Sequence, residues 1–237
     1  MKILVAYVVV TGGPVAANYA ARFVSTYHEN PPGLAHDTLI ICNGGPLPLD
    51  EALIFSSLHP IFLPRVNDPG WDISAFIDVA RGAGSNYDAI FCCGESVHFH
   101  RQGWLARLVS AWERHGPGMY GPLSSNTIRG HLNTTAFLCP PSLLAKYPSA
   151  VFDRKSRYEF EHGERSFWRR LSMKNIPVRL VTWDGEWTPK TWRVPANILW
   201  RGDQSNCLVW ECHTENWLHS DLGTKQNWSR MADAQFR

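Results

Sequence analysis

A short apolar segment that ends in a small acidic cluster carries the clearest chemical signal in the chain. Residues 87–93 read Tyr-Asp-Ala-Ile-Phe-Cys-Cys, which predicts a buried strand, and Gly94 and Glu95 follow it directly. The ends of strands in an open α/β sheet face the crevice where ligands bind. Cys93, Gly94 and Glu95 are therefore the first candidates for a turn that contacts a ligand or a metal ion.

Three acids in the second half of the chain are candidates for proton transfer. Glu161 and Glu164 begin a predicted amphipathic helix over 161–174, and Asp203 begins a segment, 203–210, that we expect to be helical. A general base must lie within hydrogen-bond reach of the proton that it removes. An acid in the first turn of a helix also stabilises the helix dipole, so the residue types alone leave both roles open.

The elements that would position these residues alternate between strands and helices, which predicts an α/β domain built in layers. Thr11 and Gly12 end the first strand, and Asp72 is expected to cap the helix that it begins. Strands are predicted at 2–10, 37–42, 60–66, 87–93, 134–138 and 178–183, and helices at 15–28, 72–81, 103–115, 140–144 and 161–174.

Composition restricts the class of protein. The chain has 237 residues, 44% of them hydrophobic, which predicts a single domain over 1–222 and a polar, peripheral tail over 223–237. A net charge of +2 is too small to indicate nucleic-acid binding by its field alone. We expect no membrane span and no secretory leader. The six cysteines include no CxxC pair, so we expect reduced thiols in a cytoplasmic protein rather than a structural zinc site.

Three segments, taken together, resemble the GT-A glycosyltransferases, and most closely the family 2 and rhamnan-synthesis groups. Asn67-Asp68-Pro69-Gly70-Trp71-Asp72 is similar to the family's helix start beside the nucleotide. Cys93-Gly94-Glu95 with Gly103-Trp104-Leu105 is similar to its strand, D-x-D and G-W-L run. The stretch from Phe152 through Glu161-His162-Gly163-Glu164 to Pro177 is similar to its F-D and E-D-x-D helix, and Gly202 to Asn206 partly matches a D-Q motif of other GT-A enzymes.

The resemblance implies a three-layer α/β/α domain with a mostly parallel sheet. It also implies transfer of a sugar from a nucleotide diphosphate sugar to an acceptor hydroxyl, with inversion as the expected outcome. Glu164 takes the position of the general base, and Glu161 and Asp203 are its rivals. Together with the strand-end argument, the resemblance gives these expected donor contacts: Thr11, Gly12, Asn67, Asp72, Cys93, Gly94 and Glu95.

The family's divalent metal is held by two carboxylates, and Cys93 stands where the first of them is expected. Hard cations such as Mn²⁺ and Mg²⁺ prefer oxygen ligands, so a thiol is a poor replacement. Glu95 and His213 could hold the ion between them; alternatively, arginine, lysine and helix N-termini could neutralise the diphosphate without metal. His98 and His100 offer a further metal-like spacing.

Acceptor contacts are predicted in two polar segments of the second half of the chain. They are Arg129, His131 and Asn133 in one, and Trp183, Asp184 and Trp187 in the other. Indole faces pack on sugars and on bases alike, so a glycan, a small molecule or a hydroxylated base in DNA remains open, with DNA not favoured. The alternative function is a non-catalytic module that binds nucleotide sugar or glycan and has kept the fold.

Overall fold

The computed structural model describes residues 1–66, 71–125, 130–192, 194 and 199–234. Asn67 and Arg129, two of the predicted site residues, lie outside this part of the chain. The described strands are β1 Ile3–Val10, β2 Asp37–Asn43, β3 Ile61–Arg65, β4 Ala89–Cys93, β5 Met119–Gly121, β6 Ser124–Ser125, β7 His131–Leu132, β8 Ala136–Cys139, β9 Val178–Val181 and β10 Glu186–Trp187.

The described helices are α1 Ala16–Glu29, α2 Leu49–Ile54, α3 Trp71–Arg81, α4 Trp104–His115, α5 Pro141–Leu144, α6 Arg154–Glu161, α7 Phe167–Met173, α8 Cys212–His219 and α9 Leu222–Ala234. A single 3₁₀ turn, Ser56–Leu58, follows α2. None of the helices in the described ranges is both long enough and apolar enough to cross a bilayer.

Eight strands form one sheet in the order β10-β9-β5-β8-β4-β1-β2-β3. β1 pairs in parallel with β2 and β4, β2 with β3, and β5 with β9. β8 is antiparallel to both β4 and β5, and β10 is antiparallel to β9. The carboxyl ends of β1, β2, β3, β4, β5 and β9 therefore lie at one edge of the sheet, and β6 and β7 form a separate hairpin.

Both faces of the sheet are buried under helices. Because successive side chains of a strand point to opposite faces, β1 contributes Val5 and Tyr7 to the apolar cluster beneath α1 and α4. Leu4 and Ala6 belong to the second cluster, beneath α3, α6 and α7. The fold is thus a three-layer α/β/α domain with a mostly parallel sheet, which confirms the predicted fold class.

The helix predicted over 161–174 was wrong, because the chain breaks there into two helices. α6 ends at Glu161, and α7 begins at Phe167. In the connection the Glu159 carboxylate folds over Gly163, where a Cβ atom would overlap it, and accepts a hydrogen bond of 2.9 Å from the Arg165 amide. Glu161 therefore closes a helix, and Glu164 lies in the connection.

The helix predicted over Asp203–Trp210 was also wrong, since the segment consists of turns. Gly202 and Gln204 have φ angles of 65° and 61°, in the left-handed region that a right-handed helix excludes. The Asp203 carboxylate instead accepts hydrogen bonds from the amide and the hydroxyl of Ser205, at 3.0 and 2.6 Å. Such local side-chain bonds compete with helix formation.

The end of the chain is helical within its described part. Residues predicted as a tail from 223 onward fall largely within α9, and 235–237 lie outside the description. The ring of Trp228 stacks on that of Trp200 with centroids 5.2 Å apart, and lies 6.5 Å from that of Trp217. All six cysteines are free thiols, and five of them are buried.

Candidate active site at the carboxyl edge of the sheet

Glu95 lies in the turn after β4, beside the end of β1. Its carboxylate accepts a hydrogen bond of 3.0 Å from the Val10 amide, and its carbonyl accepts one of 2.5 Å from the Tyr7 hydroxyl. The amide of Gly94 donates to the Thr135 carbonyl at 2.7 Å. The strands on both sides of β4 thus hold this turn in place.

Asp72 reaches the same turn from the first turn of α3. A Cβ atom at Gly94 would lie 3.4 Å from Oδ2 of Asp72. The Asp72 carboxylate therefore lies close to the backbone of Gly94. Oδ1 of Asp72 accepts a hydrogen bond of 3.0 Å from the Ile73 amide. Asp72 was predicted to cap α3 from outside; it lies instead one residue inside the helix, which begins at Trp71.

Glu161 and Arg157, both on α6, complete the cluster. Arg157 Nε lies 3.9 Å from Oδ1 of Asp72 and 3.9 Å from Oε2 of Glu161, too far for a hydrogen bond to either carboxylate. This nitrogen is buried and has no hydrogen-bond partner among the described residues. The Thr134 hydroxyl, just before β8, donates to the Glu161 carboxylate. One guanidinium therefore faces two carboxylates with a donor still to be satisfied.

Burial disfavours the charged form of two carboxylates in this cluster. Burial raises the pKa of Asp72; the Arg157 charge opposes this rise and the Glu161 charge adds to it. Burial also raises the pKa of Glu95, against the hydrogen bond from Val10 and with a contribution from the Asp72 charge. A proton or a cation would stabilise these buried carboxylates, and carboxylate oxygens suit a hard cation such as Mn²⁺ or Mg²⁺.

Trp71 is a site residue that sequence reasoning missed. Its side chain is 40% exposed, and the Arg157 guanidinium lies 5.0 Å from the centre of its ring. Its φ of 50° is uncommon for a residue other than glycine, and such backbone strain tends to occur at functional sites. The only signal in the sequence is its position next to Asp72. Nothing in the sequence singled out Arg157.

Two histidines border the Glu161 end of the cluster. The rings of His131 and His162 meet edge to face at 4.0 Å, and His162 Nε2 lies 3.7 Å from Oε2 of Glu161. Burial lowers the pKa of His162, although the Glu161 charge opposes this. Asn133 supports the same region, since its side-chain oxygen accepts a hydrogen bond of 2.9 Å from the Thr135 amide. His131 and Asn133 therefore lie beside the predicted donor site.

Thr11 and Gly12 lie at the same edge, directly after β1. The Thr11 hydroxyl donates to the Gly45 carbonyl at 2.9 Å, and a Cβ placed on Gly12 would have no described residue within 4 Å other than its two chain neighbours. Cys93 differs from the other predicted donor residues, because its side chain is fully buried in the apolar cluster beneath α1 and α4. Burial raises the pKa of its thiol well above the usual value, so the thiol is neutral.

The predicted acceptor residues after β9 form a second polar group at this edge. Trp183 Nε1 donates to the Cys207 carbonyl at 3.0 Å, and Asp184 accepts from the Asn206 amide group at 2.6 Å. Trp187 Nε1 donates to the Thr182 hydroxyl at 3.0 Å. β9 is three strand positions from β4, or about 14 Å at the usual strand spacing.

The two remaining candidates for the base lie outside the carboxylate cluster. Glu164 is exposed and has no hydrogen bond or ion pair with any described residue. Asp203 is exposed in the turn that follows Gly202, where it contacts Ser205. Of the three predicted acids, Glu161 is therefore the one that contacts Arg157.

His213 lies in a different cluster from Glu95. Within the described ranges, the three potential metal ligands that converge are Glu211, Cys212 and His213, at the start of α8. The Cys212 amide donates to the Ser96 hydroxyl at 3.3 Å, so this cluster adjoins the turn that holds Glu95.

His98 and His100 both make structural contacts. His98 Nε2 lies 3.0 Å from Oε1 of Glu215, and the His98 Nδ1 atom lies 3.1 Å from the Ser96 carbonyl. His100 Nε2 donates to the Cys207 carbonyl at 2.6 Å, and its ring stacks on Trp210 at 4.4 Å. Their alternate spacing thus reflects packing around α8 and the preceding loop.

No protein-family model matches the chain, and no curated protein matches its sequence. Among solved structures, the chain is similar to a CMP:2-keto-3-deoxy-manno-octonic acid synthetase complexed with CTP, at 9% identity and a TM-score of 0.49, over 76% of this chain and 89% of that one. It is similar to a cytidylyltransferase from Leptospira borgpetersenii, at 12% identity and a TM-score of 0.47, over 68% of each chain. It is also similar to a putative nucleotide-diphospho-sugar transferase from Desulfovibrio desulfuricans, at 13% identity and a TM-score of 0.40, over 68% of this chain and 76% of that one.

Proposed function

We propose that the protein is a glycosyltransferase that moves a sugar from a nucleotide diphosphate sugar to an acceptor hydroxyl. The observation that carries the proposal is the convergence of Asp72, Glu95 and Glu161 with Arg157 around Gly94. This cluster lies outside the carboxyl ends of parallel strands, where open α/β sheets bind their ligands. The resemblance of the sequence motifs to GT-A enzymes supports the same function.

In this proposal the donor lies against Gly94, because a residue without a side chain lets a ligand approach the backbone closely. The buried Nε of Arg157 and the N-terminal amides of α3 supply positive charge for the diphosphate. Trp71 offers an indole face to the base or the sugar. A divalent cation bound by Asp72 and Glu95 oxygens would stabilise the leaving diphosphate.

Glu161 is the proposed general base. It would accept the proton of the acceptor hydroxyl while that oxygen attacks the anomeric carbon and the bond to the diphosphate breaks. The proton ends on Glu161, the bonding electrons leave with the diphosphate, and a single displacement inverts the anomeric centre. Thr134 and Arg157 orient the carboxylate for this step.

The acceptor is expected to extend from Glu161 along the edge of the sheet toward the end of β9. His131 and Asn133 border the base, and Trp183, Asp184 and Trp187 provide aromatic and acidic groups beyond it. The acceptor classes are a glycan, a small molecule or a hydroxylated base in DNA. We propose a cytoplasmic location on the basis of the free thiols.

The test compares Glu161→Gln with Glu164→Gln, a matched change three residues away and outside the cluster. Release of nucleotide diphosphate is measured with uridine, guanosine, thymidine and cytidine diphosphate sugars, with and without Mn²⁺. We expect Glu161→Gln to lower turnover about 10²–10⁴-fold, the usual contribution of a general base, and Glu164→Gln to leave it within a few-fold. Equal turnover in wild type and Glu161→Gln would remove the assignment of the base.

The alternative, a nucleotide-sugar-binding module without turnover, is motivated by the buried Cys93 in place of an acid. Such a module would be stabilised against heat by a nucleotide sugar but would release no nucleotide diphosphate. Measuring thermal shift and product release with the same donor separates the two functions. Stabilisation by a donor, with no release across a broad set of acceptors, would favour the binding module.

A further inference from the structure

We propose that Glu211, Cys212 and His213 form a zinc-binding site at the start of α8. The inference concerns a soft divalent ion held by these three consecutive residues. It does not depend on the proposed sugar transfer or on a hard cation at Asp72 and Glu95. Three side-chain atoms carry it: Oε2 of Glu211, Sγ of Cys212 and Nδ1 of His213.

Two of the three separations among these atoms are close to the edges of a zinc tetrahedron, and the third is shorter. Sγ lies 3.6 Å from Nδ1 and 3.4 Å from Oε2, and Nδ1 lies 2.8 Å from Oε2. Zinc bonds of about 2.3 Å to sulfur and about 2.1 Å to nitrogen and oxygen, at tetrahedral angles, require separations of about 3.4–3.6 Å. The two separations that involve sulfur already meet this requirement. The third lengthens by about 0.6 Å when the ion replaces the proton between Nδ1 and Oε2.

The carboxylate of Glu211 is prepared for a cation. Its side chain is only 1% exposed. Within the described ranges it forms an ion pair with His213 and with no arginine or lysine. Oε1 accepts hydrogen bonds from the amides of His213 and Thr214, at 3.1 and 3.2 Å, which fixes the orientation of the carboxylate. A buried carboxylate requires a positive partner, and a metal ion meets that need more fully than one imidazole does.

The site is open to solvent on its other side. Cys212 is partly exposed and the His213 side chain is 53% exposed, so an ion can enter and keep a fourth position for water or another ligand. The hydroxyl of Thr214, the next residue in the turn, is buried and has no hydrogen-bond partner among the described residues. A thiolate ligand favours Zn²⁺ over Mn²⁺ and Mg²⁺. Binding displaces the Cys212 proton and the proton shared by His213 and Glu211.

The experiment uses the full chain after dialysis against a chelator, with Zn²⁺ and Co²⁺ as probes. We expect one equivalent of Zn²⁺ by calorimetry. With Co²⁺ we expect a sulfur-to-metal charge-transfer band together with the intense visible bands of tetrahedral cobalt. Cys212→Ser should abolish the charge-transfer band, and Glu211→Gln should abolish stoichiometric binding while its amide oxygen can still cap α8. His219→Gln, at an exposed histidine on the same helix, should bind both metals like the wild type.

Circular dichroism of each variant shows whether α8 remains folded. Two results would overturn the proposal: wild-type protein that takes up no zinc after chelation, or a folded Cys212→Ser variant whose cobalt spectrum equals that of the wild type. Because the conservative Cys212→Ser change leaves the Glu211 cap intact, unfolding of Glu211→Gln would not prevent the test.

Discussion

Replacing Asp72 by Asn should stabilise the protein at neutral pH while it weakens the site. Burial is the largest influence on this carboxyl and raises its pKa, so the folded environment as a whole disfavours the charged form. Asparagine has nearly the same shape, and its Oδ1 can still accept the hydrogen bond from the Ile73 amide. The variant therefore removes a charge and leaves the local packing in place.

The magnitude follows from two opposing effects. Arg157 lies 3.9 Å from the carboxylate, and at an effective dielectric constant of about 20 this attraction is at most about 4 kcal/mol. Solvent reduces it to roughly 1 kcal/mol, because the arginine side chain is 31% exposed. The desolvation penalty exceeds this attraction, since the net effect is a raised pKa. We expect Asp72→Asn to raise the free energy of unfolding by about 0.5–2 kcal/mol. Each kcal/mol corresponds to a rise of roughly 2–4 °C in Tm for a chain of this size.

The sign of the pH dependence is fixed by the direction of the shift. With its pKa raised in the folded state, Asp72 binds a proton more tightly there than in the unfolded chain. Its contribution to stability is therefore lost as pH rises from the ordinary value of 3.8 through the raised value. The stability gained by the Asn variant should be full at pH 7 and should disappear near pH 3.

Urea denaturation of wild type and Asp72→Asn at several pH values measures this difference directly. Asp78→Asn is the control: Asp78 lies on the same helix, is 54% exposed and pairs with Arg65 at 2.8 Å, so its removal should bring no gain. A less stable Asp72→Asn variant at pH 7, or a difference that does not change with pH, would refute the reasoning. Donor affinity in the same variant should fall.

Three further predictions concern the surroundings of the site. Arg107→Ala should cost about 3 kcal/mol of unfolding free energy in a urea titration, because Arg107 donates to Glu186 and to two carbonyls. Arg101→Ala removes a cation–π contact with Trp183, which is the polar contact of Arg101 among the described residues, and should cost about 1 kcal/mol or less in the same titration. Trp71→Ala should weaken nucleotide-sugar affinity by about 1–3 kcal/mol in calorimetry, and unchanged affinity would exclude the indole from the donor site. Deleting residues 223–237 should lower Tm by several degrees, because Trp200 loses the ring of Trp228 that stacks on it; an unchanged Tm would support the predicted domain boundary after residue 222.

The central fold could be predicted because its strongest elements are local patterns. The apolar run of β1 and the helical spacing of α1 and α4 gave boundaries within one residue of those observed. The continuous helix over 161–174 failed at its beginning, because the apolar residues that predicted it, Phe167, Trp168 and Leu171, all lie on α7 and do not fix where the helix starts. The cause of the break between α6 and α7 is the contact of Glu159 with the Arg165 amide, which periodicity does not reveal.

The site was only partly predictable for a related reason. Glu95 and Asp72 follow from strand ends and helix starts, whereas Arg157 reaches the cluster from a helix 62 residues beyond Glu95 in the chain. Glu164 was preferred to Glu161 because it aligns with the acid that the GT-A resemblance casts as the general base, whereas Glu161 ends α6 beside Arg157 and Glu164 lies in the connection to α7. His213 was predicted as a metal ligand together with Glu95, but Glu211 and Cys212 were not singled out, because the CxxC spacing typical of zinc sites is absent.

Because β8 is antiparallel to β4, the candidate site depends on the register of this strand pair. The residues just before β8, and not those just after it, therefore lie beside the turn that holds Glu95. At this end of the pair, Cys93 is opposite Ala136. A slip of one residue in this pairing would exchange Thr134 and Thr135 and turn the hydroxyl that contacts Glu161 to the other face. The pairing is buried in the centre of the sheet, so this geometry should persist until the whole domain unfolds, and activity and fold should be lost in a single transition.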